Sequence, residues 1–79
     1  MQIHPIMEDF TDLDFAKAAY TTLKEYDPER LQLIFLLITE GETPETIFER
    51  MKKMRPDYIA LPAICAGAAY WILHQKHNN

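Results

Sequence analysis

The sequence feature that most constrains the fold is the apolar run at residues 31–38, LQLIFLLI, which holds a single polar residue. Residues 27–29, Asp-Pro-Glu, precede the run. They supply a side-chain acceptor for unpaired N–H groups, a proline at the first helical position and an acid in the first turn. Gly41 follows the run and is typical of a helix end. The pattern therefore predicts a helix over residues 28–39.

This helix carries apolar side chains around more of its circumference than one neighbouring surface can cover. One stripe recurs at the i, i+3, i+4, i+7 spacing of an inward-facing helix and consists of Leu31, Ile34, Phe35 and Ile38. A second apolar flank consists of Leu33, Leu36 and Leu37. We therefore expect the helix to be central to the fold or to form half of an interface, with the second flank as the candidate surface for self-association or for a partner. A two-fold contact would bury that flank on both copies at once.

The first and third helices are predicted from the same kind of capping signal. Thr11 is a good N-cap, and the acids that follow it suit the positive end of a helix dipole, which predicts a helix over residues 12–25. Residues 43–45, Thr-Pro-Glu, repeat the signature, and Pro56 stops the chain from continuing as a helix. This predicts a third helix over residues 44–54.

A fourth helix over residues 62–76 is predicted from Pro62, which suits a first helical position. Whether residues 57–76 form one kinked helix or two is left open by the sequence. Several small side chains in this segment would let another helix approach closely, namely Ala63, Ala66, Gly67 and Ala69. We expect the helix over residues 28–39 to lie in the groove that they form.

The predicted fold class is all-α, a compact bundle of about four short helices in one domain over residues 1–79. No segment has the pattern of a strand. Residues 1–10 have no helical period and are predicted to form either an extended N-terminal strap or a frayed terminus. The apolar residues of the strap that could lie across a helix groove are Ile3, Ile6, Met7 and Phe10. A chain this small has a thin margin of stability, which a partner subunit commonly increases.

The charge of the chain is unevenly distributed along it. The formal net charge is −4, but residues 1–45 hold ten acids and three bases, a net of −7, and residues 46–79 hold two acids and five bases, a net of +3. An acidic total argues against general nucleic-acid binding, whose affinity comes largely from phosphate neutralisation. Two oppositely charged halves favour pairing with a second copy or with a complementary partner.

We expect a cytoplasmic protein without a membrane span. The single cysteine, Cys65, can make no internal disulfide, and the N-terminus lacks the basic start and apolar core of a secretory signal. The longest weakly polar run, residues 59–73, contains a proline and falls short of the roughly 20 residues that a spanning helix needs.

The sequence predicts no enzyme, no cofactor and no metal centre. His74 and His77 lie at i, i+3, but no nearby Cys, Asp or Glu completes a ligand set. The acid-rich stretch at residues 8–14 lacks the glycine and terminal glutamate of a calcium loop. Cys65 lies among alanines, with no histidine in reach to activate it, and it is predicted to be a small buried hydrophobe.

Residues 36–51, LLITEGETPETIFERM, resemble the run in response-regulator DNA-binding domains in which a hydrophobic helix, a glycine and a capped scaffold helix precede a recognition helix. The resemblance implies a helix-turn-helix, with the next helix carrying polar side chains to bases and phosphates. In this chain the next helix offers AICAGA at residues 63–68 instead. The basic residues that could contact phosphate or an acidic partner are Arg50, Lys52, Lys53 and Arg55.

The function predicted by these patterns is that of a non-enzymatic protein–protein interaction module, a small regulatory or adaptor protein acting as a homodimer. The alternative is a helix-turn-helix-like DNA-binding regulator, which requires the four basic residues to share one uninterrupted exposed surface. A third option is a helical protein that binds a small ligand, in a pocket with walls from Phe48, Met51, Tyr70 and Trp71.

Overall fold

The computed structural model describes residues 11–58 and 60–78, the last two of these by their backbone alone. Within these residues there is no strand, and there are four helices: α1 (Leu13–Tyr26), α2 (Pro28–Thr39), α3 (Pro44–Met54) and α4 (Ala60–Asn78). The predicted all-α class is confirmed. The bounds predicted for α2 and α3 are those observed, α1 is displaced by one residue, and α4 is longer by two residues at each end. The predicted strap at residues 1–10 lies outside the described residues.

Helix α1 begins one residue later than predicted because its N-cap is Asp12 and not Thr11. The Asp12 backbone is extended, and its Oδ1 accepts hydrogen bonds from the backbone N–H groups of Asp14, at 2.8 Å, and Phe15, at 3.3 Å. An aspartate in this position both satisfies unpaired N–H groups and supplies negative charge at the positive end of the helix dipole. Thr11 and Asp12 are both favourable N-cap residues, so the sequence did not show which of them caps the helix.

The turn between α2 and α3 has the chemistry that the sequence predicted. Gly41 has φ 98°, in the left-handed region that favours glycine, and its N–H donates to the Ile38 carbonyl at 3.0 Å. Thr43 and Thr46 then form a reciprocal capping box. The Thr46 N–H donates to Thr43 Oγ1 at 3.2 Å, and the Thr43 N–H donates to Thr46 Oγ1 at 2.8 Å.

Residues 60–78 form one helix, which settles the question that the sequence left open. Pro62 lies in the first turn of α4, where its missing N–H has no intrahelical partner to lose. Pro56 and Asp57 form the turn that precedes it. The segment after α3 is therefore a turn followed by a single long helix.

The central helix of the fold is α4. Of the two expectations for α2, a central position is therefore wrong, and the role as half of an interface stays a prediction. α4 packs most extensively against α1, nearly as much against α3 and less against α2. It contributes to both clusters of buried residues, with Cys65, Ala68 and Ile72 in the larger one and Ala63 and Ala66 in the smaller one. A helix that is apolar all round must be surrounded on most sides, and the small side chains of α4 allow this at short distances between helix axes.

Gly67 of α4 faces α1, whereas α2 was predicted to pack against it. A Cβ atom added at Gly67 would lie 2.8 Å from Phe15 Cε2 and 3.3 Å from Ala19 Cβ. Ala16 and Ala19 are both buried, so small residues face each other across this contact. The close approach of α1 to α4 therefore depends on the absence of a side chain at Gly67.

We predict that Gly67→Leu destabilises the fold by about 1–3 kcal/mol, because the added branch overpacks the α1–α4 contact. Gly67→Ala should change stability much less, because two effects oppose each other. Alanine has the higher helix propensity, by up to about 1 kcal/mol, but its Cβ would lie too close to the Phe15 ring. Urea unfolding would measure both free energies.

The same substitution in a Phe15→Ala background provides the control. Removing the ring makes room beside Gly67, so the cost of Gly67→Leu should be smaller there. An equal cost in both backgrounds would show that Gly67 does not face Phe15.

Candidate interaction surface

The second flank of α2 is only partly at the surface. Leu37 is 6% exposed and belongs to the larger buried cluster, and Leu33 is half-buried against the same cluster. Leu36 is 54% exposed. The larger buried cluster of the single chain therefore already covers Leu37. Of the three predicted residues, Leu36 is the one that the fold leaves largely in solvent.

Phe35 is 42% exposed, although the sequence predicted it in the buried stripe of α2. Consecutive residues of a helix point about 100° apart, so Phe35 and Leu36 lie on opposite sides of the outer face of α2. The buried face is centred on Ile34 and includes Leu37. The helix is therefore rotated relative to the prediction, which moves Leu37 inward and Phe35 outward.

Phe35 lies between two adjoining depressions where α1, α2 and α4 meet. The first encloses about 390 Å³ and is lined by Lys24, Pro28, Leu31, Gln32 and Phe35. The second encloses about 240 Å³ and is lined by Tyr20, Phe35, Trp71, Ile72, Gln75 and Lys76. We call these two depressions together the Phe35 groove. Its walls are apolar and aromatic, and the charged residues that line it are lysines.

All four residues of the predicted basic cluster are exposed, and two of them are paired with acids. Arg50 donates from Nη2 to Glu42 Oε2 at 2.9 Å, and Arg55 Nε lies 3.5 Å from Asp57 Oδ1. Lys52 and Lys53 are consecutive on α3 and so point about 100° apart. Two of the four positive charges therefore have an acid beside them, and contact of this cluster with phosphate or an acidic partner stays a prediction.

The acids that pair with the two arginines are held in their charged form. Hydrogen bonding by Thr46 and by Arg50 lowers the pKa of Glu42, and hydrogen bonding by Arg55 lowers the pKa of Asp57. Both acids therefore stay ionised well below neutral pH and continue to neutralise their arginine partners. A binding site for phosphate would have to displace them.

Residues 36–51 carry the resemblance to a helix-turn-helix, and the recognition helix would be the next helix after them. That helix is α4, the most buried helix of the fold. Its residues 65–69 all lie in the interior. A recognition helix must be free to enter the major groove and must carry polar side chains. Along residues 65–69, α4 is not free to enter a groove and carries no polar side chain that could contact bases.

The four residues predicted as walls of a ligand pocket do not line one cavity. Met51 is fully buried in the larger cluster. Phe48 and Tyr70 pack in the smaller cluster, on another side of α4. Trp71 borders an open depression, the second half of the Phe35 groove.

Cys65 is fully buried, as the sequence predicted. Burial raises the pKa of its thiol to about 12, against a smaller lowering by the positive charge of Arg30. The thiol is therefore neutral at physiological pH and has no access to solvent, which gives it the character of a small hydrophobe.

His74 stacks on the aromatic rings beside it, with its centroid 6.4 Å from that of Tyr70 and 6.3 Å from that of Trp71. The side chain of the second predicted partner, His77, lies outside the described residues. Among the residues that are described, no three His, Cys, Asp or Glu side chains are grouped so as to hold a metal ion. Within the same residues no helix combines the length and the apolar character that crossing a membrane requires.

Comparisons of the chain with protein-family models, with curated proteins and with solved structures find no match. An assignment of function therefore depends on the chemistry of the surface itself.

The sequence did not reveal the Phe35 groove. Trp71 was predicted beside other pocket walls, and the sequence does not place Tyr20 next to it. Lys24 and Lys76 are 52 positions apart in the sequence and had no predicted role. A signal was present in the aromatic residue types, but the three helices bring them together only through tertiary packing.

We predict that Cys65 makes the stability of the protein fall at alkaline pH. The folded thiol has a raised pKa, near 12, whereas an unfolded thiol titrates near about 8.5. The thiol thus favours the folded state below about pH 8.5, and that contribution is lost as the pH rises through the interval between the two values. Between about pH 8 and about pH 10 the loss should be on the order of 1–2 kcal/mol in urea unfolding.

Cys65→Ala is the matched control, since it leaves every other titrating group in place. The difference in alkaline slope between the two proteins isolates the thiol. Identical slopes, or rapid reaction of native Cys65 with iodoacetamide at neutral pH, would contradict the burial described above.

We also predict no salt-dependent binding of random duplex DNA at physiological ionic strength, because the net charge is negative and two of the four candidate bases are paired. A gel-shift titration with the full chain would measure this. Retardation that weakens steeply with added salt and disappears in a Lys52→Glu, Lys53→Glu variant would restore the DNA-binding alternative.

Proposed function

We propose that this protein is a non-enzymatic protein–protein interaction module, a small regulatory or adaptor protein that acts as a homodimer. The observation that carries the proposal is that α2 is apolar around more of its circumference than the fold buries. Its inner face is packed by Leu31, Ile34 and Leu37, and yet Phe35 and Leu36 remain substantially exposed on the outer face. Exposed apolar side chains grouped on one element are characteristic of an interaction surface.

The surface residue types support the same proposal. The other large apolar or aromatic side chains that are exposed are Leu13, Tyr26, Met54 and Tyr58. Tyrosine, methionine and arginine are enriched at the centres of protein interfaces, and Arg55 lies over the Tyr58 ring at 5.9 Å.

The self-contact that we propose is centred on Leu36, with the half-buried Leu33 one turn before it. Two-fold symmetry would place this flank of one protomer against the same flank of the other. The acidic first half and the basic second half of the chain favour an antiparallel arrangement. A cytoplasmic location is part of the proposal and is supported by the single cysteine, which has no disulfide partner within the chain.

The dimer should be weak. Fully burying a leucine contributes about 1.5–3 kcal/mol, and about half of Leu36 is already covered, so each copy adds on the order of 1 kcal/mol. Association must also overcome lost translational and rotational freedom. Neighbouring contacts around Leu36 must therefore contribute most of the remaining affinity.

We predict concentration-dependent dimerisation between about 10 µM and about 1 mM, the range of weak association. Sedimentation equilibrium would measure it. Leu36→Glu should abolish the dimer and leave the monomer folded, because that side chain is more than half in solvent. Leu37→Glu should instead unfold the protein, because it puts a charge into the core.

Met54→Glu is the matched control, since Met54 is 55% exposed on a different helix. It should dimerise as the parent does. A parent that is monomeric over the whole range would rule out the homodimer, and equal weakening by Leu36→Glu and Met54→Glu would move the contact away from α2.

A further inference from the structure

The Phe35 groove is a second surface, distinct from the flank that carries Leu36. Phe35 and Leu36 point about 100° apart, so a contact centred on one does not cover the other. Phe35 borders both depressions of the groove, and Leu36 borders neither. A dimer formed through Leu36 would leave a groove open on each protomer.

The dimensions of the groove match those of a helix face. Its α2 wall runs from Pro28 to Phe35, a rise of about 10 Å at 1.5 Å per residue. Anchors at i, i+3 or i+4, and i+7 of a bound helix span the same distance. Residues of α1, α2 and α4 line the two depressions, so three helices together form the receiving surface.

The apolar walls are built from residue types that dominate binding energy. Tyr20 and Trp71 are both half-buried, so each is held by the fold and still presents part of its ring. Together with Phe35 they form an aromatic floor contributed by three different helices. Rigid aromatic side chains in a recess are the usual centres of a protein interface.

The charge of the groove is opposite to that of the whole protein. The chain has twelve acids and eight bases, yet among the described residues no acid lines either depression. Lys24 borders one depression and Lys76 borders the other, so there is a lysine on each side of Phe35. The remaining polar lining residues are Gln32 and Gln75, which are neutral.

We propose that the Phe35 groove binds an amphipathic helix of a partner protein, whose apolar stripe packs on the aromatic floor and whose flanking acids pair with Lys24 and Lys76. This inference depends on the proposed function, since it gives the interaction module a class of partner. The apolar walls supply the affinity, and the two lysines select acidic flanks over basic ones.

Trp71 is the only tryptophan of the chain and provides a direct signal. The probe is a designed helical peptide of about four turns with leucines at i, i+3, i+4 and i+7 and glutamates beside them. Titration into the full chain should shift the emission of Trp71 to shorter wavelength. A peptide with the same leucines but lysines beside them should bind about tenfold more weakly or less.

Variants of the groove separate its apolar and charged parts. Phe35→Ala should weaken the glutamate peptide about tenfold or more, because it removes the residue that both depressions share. Lys24→Glu with Lys76→Glu should reverse the preference between the two peptides. Lys52→Glu with Lys53→Glu makes the same change of net charge on α3, outside the groove, and should leave the preference unchanged. Circular dichroism would establish that each variant is folded.

Several outcomes would overturn the inference. These are no change in Trp71 emission with either peptide, equal affinity for both, or the same loss in the α3 control as in the groove variant. A shift on phosphatidylserine vesicles without discrimination between the peptides would identify a membrane surface as the ligand. A shift that appears on concentrating the chain alone, and is lost in Phe35→Ala, would identify a second copy of the chain.

The test also separates this inference from the proposed function. Leu36→Glu should remove dimerisation and leave the affinity for the glutamate peptide as it is in the parent. If the parent dimerises through Leu36 and no peptide binds, only the inference about the groove fails. If the parent is also monomeric at all concentrations, the interaction module itself is refuted.

Discussion

The contact on which the rest of the structure depends is the close approach of α1 to α4 at Gly67. Without a side chain at that position, Phe15 and Ala19 of α1 come within van der Waals distance of the α4 backbone. Small residues on both helices make this possible, since Ala16, Ala19 and Ala66 are all buried. Larger side chains complete the core around α4, among them Ile47 and Met51 of α3 and Ile34 of α2.

This arrangement explains why α2 is apolar on both its inner and outer faces. α1 and α3 take most of the surface of α4, and α2 is left with a smaller part of it. The helix with the most apolar sequence is therefore a peripheral one. Its inner face completes the core, and its outer face keeps Phe35 and Leu36 in solvent, where apolar side chains do not stabilise a monomer.

The sequence predicted the helices well and their orientations poorly, for physical reasons. Caps, prolines and Gly41 act locally, so the bounds of α2 and α3 could be predicted to the residue. The burial of Leu37 and the exposure of Phe35 depend on a rotation of α2 that its own sequence does not determine, because large apolar residues occur on most sides of it. Gly67 was identified as a site of close packing, but several helices could have filled that position. The Phe35 groove could not be predicted at all, since it exists only where three helices meet.

One residue connects α1 to α2, and this has a consequence for how the chain can vary. Asp27 ends α1, its side chain accepts a hydrogen bond from the Arg30 N–H at 3.2 Å, and α2 begins at the next residue. A residue inserted here and absorbed by either helix would turn that helix by about 100°, which would bring Leu36 into the core and Leu37 out of it. The connection between α3 and α4 is longer and its residues at 55–58 are exposed, so length changes there need not alter any buried face. Of these two connections, the one between α3 and α4 should therefore accept insertions and deletions that preserve the fold, and the register between α1 and α2 should be invariant.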